Sequence, residues 1–315
     1  MFEIPVLLIV FNRIDTAMEV FNSIKAIQPK QLYIAADGPR PNKENEAADC
    51  NAARSIASLV DWKCEVKTLF LTENLGPAKA PYKFIKWFFS EVKMGIILEH
   101  DCVPHPDFYY YCKDLLLRYE NNPRIGVISG TNLFSKPIAD HSYHYSAYAH
   151  IWGWATWKRT IDLYDLSMKA YTEEKLTPVL KSYFNTHVEV DYWKTIFHQL
   201  QKNDLQTWDY ALTFALWYNG MYSIIPNQNL VANIGFGVGA LNTVDENSPY
   251  ANMQTYPIMP LKYNDQIKPD RKEELTYMHS YIMEGKSKLY FYLKLYLKRA
   301  GIFNRLLRYK RKLLS

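Results

Sequence analysis

The stretch that decides the fold is Gly95-Ile96-Ile97-Leu98-Glu99-His100-Asp101, a short apolar run followed at once by three polar residues. An unbroken apolar run of this length is typical of a strand that is covered on both faces of a parallel sheet. Because successive side chains of a strand point to opposite faces, Glu99 and Asp101 would share one side, with His100 on the other. The stretch therefore predicts a buried strand whose end presents two carboxylates.

Similar apolar runs of strand length lie on both sides of this stretch. They are Ile4 to Val10, Leu32 to Ala36, Val66 to Phe70 and Ile125 to Ser129. Helix candidates alternate with them at Thr16 to Ile27, Asn45 to Val60, Ala78 to Phe89 and Pro106 to Tyr119. A capping box of Thr16 and Glu19 would open the first helix. The alternation predicts an α/β fold with a mostly parallel, Rossmann-like central sheet flanked by helices.

Polar residues follow each of the first four strands, at the point where the strand ends. Arg13 follows the first, Asp37 the second, Asn74 the third, and Glu99-His100-Asp101 the fourth. Ligands of open α/β sheets bind outside the carboxyl ends of the strands, so these side chains are expected to converge on one crevice. Glu99 and Asp101 are candidate ligands for Mg²⁺ or Mn²⁺, because phosphate oxygens and water can complete the octahedron. The structural alternative is an acidic pair bonded to the next helix N-terminus.

The other strand-end residues also allow two interpretations each. Asp37 could accept a hydrogen bond from a uracil or ribose, or could simply form a turn with Gly38. Arg13 could be a fixed charge against phosphate or a surface residue. Asn74 and Lys79, on either side of a turn, are further candidates for binding a ligand of this kind, a nucleotide joined to a sugar, as is His100.

Aromatic residues mark the region after residue 130. Asp209 follows Trp208 in an apolar segment, where burial would raise its pKa toward the range of a general base; the alternative is an N-cap for a helix from Tyr210 to Tyr218. Trp152, Gly153 and Trp154, together with Trp208, could stack on a sugar or could be core residues. The sequence thus predicts a second, less regular lobe over residues 131–285. This acceptor-side lobe would hold the molecule that receives the sugar.

The charge is divided unevenly along the chain. The formal net charge is +5, but ten of the 37 basic residues and none of the 32 acidic ones lie in residues 286–315, so the body is acidic. An acidic body argues against a nucleic-acid-binding domain. The basic tail predicts an amphipathic helix with an apolar face that includes Leu289, Leu293 and Tyr296, which would lie on an anionic membrane or dock on the acidic body.

The cysteine content and the lack of a long apolar run indicate the cellular compartment in which the protein is expected. The four cysteines show no metal-ligand spacing, which favours reduced thiols and a cytoplasmic protein, peripheral on the inner face of the plasma membrane if the tail binds there. Neither a signal peptide nor an apolar run of about 18 to 20 residues is recognisable. The expected division is a nucleotide-sugar-binding half at 1–130, an acceptor-side half at 131–285 and a tail at 286–315.

Several motifs occur together in a recognisable order. They are Phe11-Asn12-Arg13, Asp37-Gly38, Asn74-Leu75-Gly76, the block from Leu98 to Phe108, Trp152 to Trp157, Trp208-Asp209-Tyr210 and Asn227 to Gly237. This set resembles bacterial GT-A-fold glycosyltransferases related to the N-acetylglucosaminyltransferase I family. The resemblance covers roughly residues 4–240 and leaves the tail outside it.

The resemblance implies roles for the residues that match it. Arg13 and Asp37 would bind the nucleotide, Asp101 would be the principal metal ligand with Glu99 assisting, and Asp209 would be the catalytic base of an inverting single displacement. His100 stands where relatives often have an acid, and Asn242 where they often have His. The departure at His100 concerns the affinity for the metal, and the departure at Asn242 concerns contact with the diphosphate.

The expected function is a metal-assisted glycosyltransferase that moves a sugar from a nucleotide-diphosphate donor, with a UDP-sugar favoured, to a glycan or lipid-linked acceptor in surface polysaccharide synthesis. A sugar nucleotidyltransferase is one alternative, although it would need a Gly-rich phosphate loop where the chain has Phe11-Asn12-Arg13. A non-catalytic polysaccharide-binding protein is another, since it would use the aromatic residues without needing Asp101 or Asp209.

Overall fold

The structure is a computed structural model that describes residues 1–134, 141–203, 205–237 and 245–299. These residues form two units. The first contains Met1–Leu166 and Thr207–Pro269, and the second contains Ser167–Gln206 and the described residues from Asp270 to Arg299. The predicted divisions at residues 130 and 285 do not coincide with the boundaries of these units.

An eight-stranded sheet is the centre of the first unit. Its strands are β1 (Val6–Val10), β2 (Gln31–Ala36), β3 (Glu65–Phe70), β4 (Met94–Glu99), β6 (Ile125–Ser129), β7 (Tyr143–Ser146), β8 (Trp154–Trp157) and β9 (Tyr222–Pro226). The order across the sheet is β3-β2-β1-β4-β8-β6-β9-β7. Two short strands, β5 (Cys102–Pro104) and β10 (Val231–Asn233), form a separate antiparallel ribbon.

Most strands of the large sheet run in one direction. β3, β2, β1 and β4 are parallel neighbours, and β6 is parallel to β9. β8 is antiparallel to both β4 and β6, and β7 is antiparallel to β9. The predicted α/β class with a mostly parallel central sheet is therefore confirmed.

Helices cover both faces of the sheet. The helices of the first unit are α1 (Ile14–Ile27), α2 (Glu46–Arg54), α3 (Gly76–Glu91), α4 (Pro106–Arg118), α5 (Lys158–Asp162) and α8 (Asp209–Tyr218). All five residues of β1 are buried, as expected for a strand with helices on either side. Leu8 belongs to the same core cluster as Phe21 of α1, whereas Tyr33 of β2 packs its ring against Phe88 of α3, 4.9 Å between centroids.

The structure differs from the sequence predictions at two places in this unit. Helix α1 begins at Ile14, and its N-cap is Arg13 with no side-chain cap, so the predicted capping box of Thr16 and Glu19 is wrong. The Thr16 hydroxyl instead donates to the Arg13 carbonyl at 3.5 Å. The region after residue 130 is also more regular than expected, because it supplies β7 to β10 and places β8 in the middle of the sheet.

The second unit is helical. It contains α6 (Glu173–Tyr183), α7 (His187–Gln201), α9 (Arg271–Tyr277), a π turn at Met278–Ile282 and α10 (Lys288–Arg299). A buried ion pair joins two of these helices: Arg271 of α9 donates to Glu189 of α7, which is fully buried, and also pairs with Glu274 at 2.9 Å. Within the described ranges, none of the helices combines the length and the apolar character that crossing a membrane requires.

Candidate functional site

Three carboxyl groups approach one another where β4 ends. Glu99 is the last residue of β4 and pairs with Ile9 of β1, Asp101 lies in the turn that leads to β5, and Asp209 is the first residue of α8. Glu99, Asp101 and Asp209, called here the acidic cluster, lie close enough for the two aspartates to raise the pKa of Glu99. The two carboxylates predicted at this strand end are thus joined by the predicted catalytic Asp209.

Glu99 holds its proton unusually firmly. Burial raises the pKa of its carboxyl to about 8, and the charges of Asp101 and Asp209 add to that shift. The Oε1 atom of Glu99 is buried and has no hydrogen-bond partner among the described residues. A buried carboxyl oxygen without a partner is costly unless a proton or a cation accompanies it. The site is therefore suited to a positively charged ligand.

The same donors fit a hard divalent cation. Carboxylate oxygens are the ligands that Mg²⁺ prefers, and it commonly takes one or two of them and fills the other positions with phosphate oxygens and water. Among the described residues, no group of three or more His, Cys, Asp or Glu side chains is arranged to hold a metal ion by itself. Glu99 and Asp101 accordingly remain candidate ligands for a cation that arrives with a phosphate group.

A glycine brings the ribbon of β5 and β10 against Asp101. Ile234 donates its backbone N–H to the Asp101 carbonyl at 2.9 Å, and a Cβ on Gly235 would overlap the Asp101 carboxylate. Arg13, at the end of β1, donates through Nη1 to the Gly235 carbonyl at 3.3 Å. The predicted phosphate-binding Arg13 and the predicted metal ligand Asp101 therefore both contact residue 235.

Gly235→Ala is expected to displace the Asp101 carboxylate, because the new methyl group would occupy its position. We expect a loss of about tenfold in divalent-cation-dependent nucleotide binding, similar to losses seen when the support of a metal ligand is removed. Calorimetric titration with nucleotide and Mn²⁺ measures it. In an Asp101→Gly background the side-chain atoms that the new methyl group would meet are absent, so the added substitution should have no further effect; an equal tenfold loss there would contradict this explanation.

Glu99→Gln tests the raised pKa through stability. A carboxyl with a raised pKa keeps its proton in the folded state after the unfolded chain has released it, so its contribution to stability decreases as pH rises from 4.5 to about 8. Without divalent cations, the urea midpoint of Glu99→Gln relative to wild type should therefore rise between about pH 5 and pH 8. Glu120→Gln, at an exposed position, should show no such trend. A pH-independent difference for Glu99→Gln would contradict the assignment.

Asp37 has a different role from the predicted nucleotide contact. Its carboxylate is buried, and each oxygen already accepts two hydrogen bonds. Oδ1 accepts from the N–H groups of Gly38 and Leu75, both at 2.9 Å, and Oδ2 accepts from Gly76 N–H at 2.9 Å and Asn74 Nδ2 at 3.0 Å. With four donors in place the carboxylate has no free acceptor position for a uracil. Asp37 and Asn74 instead join the ends of β2 and β3 to the start of α3.

A buried charge pair next to this loop was not predicted from the sequence. Glu46, in the first turn of α2, is buried and accepts hydrogen bonds from Asn12 Nδ2 at 3.1 Å and from Arg40 Nε at 2.9 Å. The Arg40 side chain holds the pKa of Glu46 below its usual range and lies 5.5 Å from the centroid of the Phe11 ring. The interaction orders the ends of β1 and β2 beside Arg13. Its signal in the sequence is weak, since Asn12 and Glu46 are 34 residues apart.

The predicted sugar-stacking residues are mostly core residues. Trp154 is fully buried and Trp208 is 5% exposed; their rings stack on each other, 5.6 Å between centroids. Gly153 has φ of +64°, and a Cβ there would meet Val231 and Leu98, so its close approach is to core side chains. Trp152 is half-buried with an edge contact to Phe236. Trp154, Trp208 and Gly153 are therefore core residues, which was the alternative to sugar stacking.

The remaining predicted residues lie around the acidic cluster. Asp209 is half-buried; burial raises its pKa, and a hydrogen bond from the Thr207 hydroxyl opposes that shift. It is the first residue of α8 rather than its N-cap, which is Trp208. Burial lowers the pKa of His100, with Asp101 and Arg13 among the charges near it. Lys79 is exposed in the first turns of α3, and Asn242 lies outside the described residues.

Comparisons with known proteins find distant structural matches. No family model matches the chain, and no curated protein matches its sequence. A cytidylyltransferase from Leptospira borgpetersenii has 12% identity and a TM-score of 0.33, over 66% of this chain and 75% of that one. A 4-diphosphocytidyl-2C-methyl-D-erythritol synthase from Anaerococcus prevotii has 7% identity and a TM-score of 0.34, over 68% and 97%.

A third match is a UDP-glucose pyrophosphorylase complexed with UDP-glucose, at 9% identity and a TM-score of 0.31, over 52% of this chain and 79% of that one. The predicted glycosyltransferase function is corrected here, because these matches correspond to the alternative, the nucleotidyltransferases. None of the three is an N-acetylglucosaminyltransferase. Identities this low concern the fold alone, and the residues that bear on the reaction are those of the acidic cluster together with Arg13.

Proposed function

We propose that this chain is a sugar nucleotidyltransferase, which joins a nucleoside triphosphate to a sugar 1-phosphate and releases pyrophosphate. The observation that carries the proposal is the acidic cluster at the carboxyl end of β4, with Arg13 at the neighbouring end of β1. Carboxylates that recruit a divalent cation, beside a fixed positive charge, are what a site for phosphate chemistry requires.

The reaction places few demands on the protein beyond position and charge. An oxygen of the sugar phosphate attacks the α-phosphorus of the nucleotide, the new P–O bond forms, and the bond to the leaving pyrophosphate breaks. A divalent cation, Mg²⁺ or Mn²⁺, neutralises negative charge on the phosphates when it is bound. Asp101 and Glu99 would hold it, and Glu99 would give up its proton to do so. Arg13 would bind a phosphate oxygen.

Asp209 has a different role here from the one predicted. A sugar phosphate is already largely ionised at neutral pH, since the second pKa of a phosphate monoester is about 6, so its attack needs no general base. The base role expected for Asp209 is therefore not part of the proposal. The negative charge of Asp209 acts on Glu99, whose pKa it raises, and it adds to the attraction for a cation.

Phosphate binding would depend on side chains more than on a glycine loop. The residues after β1 are Phe11-Asn12-Arg13, and Asn12 is engaged with Glu46. Arg13 is thus the group at this strand end that a phosphate would meet, and its guanidinium can form two parallel hydrogen bonds to a phosphate. The pair of Glu46 and Arg40 keeps the adjoining loop in place.

A pyrophosphate-release assay tests the proposal. Each common nucleoside triphosphate is combined with a panel of sugar 1-phosphates, with Mg²⁺, with Mn²⁺ or with a chelator. The expected result is release that requires the nucleotide, the sugar phosphate and the cation together, with the reverse reaction on the matching nucleotide sugar. Release of a nucleoside diphosphate from a nucleotide sugar, with no pyrophosphate formed from any pair, would contradict the proposal.

A further inference from the structure

Strand β3 forms one edge of the eight-stranded sheet. It pairs with β2 on one side, and among the described residues no strand pairs with it on the other. The N–H groups of Glu65 and Leu71 donate to carbonyls on the β2 side, both at 2.9 Å. Because the backbone groups of a strand point alternately to its two sides, those of Val66, Thr68 and Phe70 face away from β2.

These outward-facing groups of β3 are available to a partner. Across the part of the chain that the structure describes, the N–H and C=O groups of Val66, Thr68 and Phe70 take part in no hydrogen bond. The side chain of Thr68 is exposed, and those of Val66 and Phe70 are half-buried. An open edge with unpaired groups is a template for a strand of another chain. β3 is therefore a candidate interaction surface.

A second copy of β3 fits this edge in one antiparallel register. If a two-fold axis passes between the two Thr68 residues, Val66 of each copy lies opposite Phe70 of the other. Every outward-facing N–H group of β3 then meets an outward-facing C=O group of the second copy. The side chains match as well, because an aromatic residue opposite a β-branched one, and threonine opposite threonine, are stabilising cross-strand pairs.

The charge of Lys67 discriminates between this register and its neighbour. An axis at Lys67 would place the two lysines directly opposite each other, which is destabilising. With the axis at Thr68, Lys67 lies opposite Leu69. Within its own chain Lys67 pairs with Glu91 at 2.7 Å and with Glu65 at 3.5 Å, so its charge is compensated. A lysine on an edge strand limits indiscriminate pairing, and this one leaves the register with the axis at Thr68.

We propose that β3 is a dimer interface, in which two copies of the chain pair antiparallel about a two-fold axis at Thr68. The pairing joins the two sheets of the dimer into one continuous sheet. It uses the same surface on both copies, as a two-fold interface requires. Because the contact consists of one short strand from each copy, the association is reversible and depends on protein concentration.

Sedimentation velocity of the full chain, from about 1 to 200 µM, tests this proposal. Wild type should shift from monomer to dimer over that range. Thr68→Lys and Thr68→Glu should each weaken dimerisation at least about tenfold, because each places like charges across the axis. An equimolar mixture of the two variants should restore a dimer, since opposite charges then meet. The control Asn121→Lys changes an exposed residue before β6, four strands from β3, and should dimerise like wild type.

Amide exchange provides a second measurement on wild type. Exchange at residues 66, 68 and 70 should be slower in the dimer than in the monomer, whereas residues 65, 67 and 69 already bond to β2 and should not change. Both Thr68 variants alter an exposed side chain, so their melting temperatures should match wild type. A wild-type monomer at every concentration would overturn the proposal. A dimer that neither Thr68 variant weakens, or that mixing the variants does not restore, would overturn it too.

Discussion

Asp101→Asn is expected to lower the rate of nucleotidyl transfer by more than about 100-fold, because removing even a supporting partner of a metal ligand typically costs 10- to 100-fold in metal affinity. The substitution keeps the size of the side chain but removes the charge next to Glu99 and Arg13. Most of the loss should appear as weaker cation binding and should be reduced, although not removed, at high Mn²⁺. Pyrophosphate release across a Mn²⁺ titration measures both effects.

Asp265→Asn is the matched control for this prediction. Asp265 is 80% exposed and pairs with Arg118 on the surface, so the same chemical change there should leave transfer unaltered. The melting temperature of Asp101→Asn should remain within a few degrees of wild type, since Asp101 is half-buried. Full transfer activity with an unchanged Mn²⁺ requirement would show that Asp101 is not a ligand.

Asp37→Ala should produce the largest loss of stability among the site residues, about 3 kcal/mol in the free energy of unfolding. The substitution leaves the N–H groups of Gly38, Leu75 and Gly76 and the amide of Asn74 without their acceptor. Unsatisfied buried donors cost more than the bonds they lose, and several are created together. Urea denaturation measures the loss, and amide exchange should be fastest at residues 73–76.

Two further substitutions serve as reference variants for the stability loss of Asp37→Ala. Asp37→Asn keeps one acceptor oxygen but places an NH₂ group against two N–H donors, so it should lose about two thirds as much stability as Asp37→Ala. Asp49→Ala removes an exposed carboxylate of α2 and should change stability by less than about 0.5 kcal/mol. If Asp37→Ala were as mild as Asp49→Ala, the four hydrogen bonds would not be holding this loop.

The first half of the sheet was predictable because its strands are continuous apolar runs. Burial on both faces requires such runs, so Leu32 to Ala36 and Ile125 to Ser129 were found within one residue of their observed limits. β8 was missed for a physical reason: from the sequence, Trp154 could equally stack on a sugar or belong to the core, and only the structure shows that it is buried. Its partners in β4 are about 60 residues away along the chain, and periodicity carries no information about such pairing.

The candidate site was predictable only where strand ends define it. The strand ends predicted that Arg13, Glu99 and Asp101 lie at one edge of the sheet. Asp209 was predicted separately as a base, and the structure places it close to Glu99. The four bonds of Asp37 could not be predicted, because three of its donors are backbone N–H groups, which every non-proline residue has. The contact of Gly235 with Asp101 likewise depends on the pairing of β5 with β10, which leaves no local pattern in the sequence.

The position of β8 affects folding during synthesis and determines which fragments of the chain can be expressed. β8 pairs Met94 with Trp157 and Ile97 with Trp154, so β4 has no neighbour on that side until residue 157 has been synthesised. A fragment that ends at residue 130 would present β4 as an open edge that carries Ile96 and Ile97, both fully buried in the whole chain. Open apolar edges pair with other chains. We therefore expect residues 1–130 alone to aggregate during expression, and fragments that include residue 157 to be better starting points.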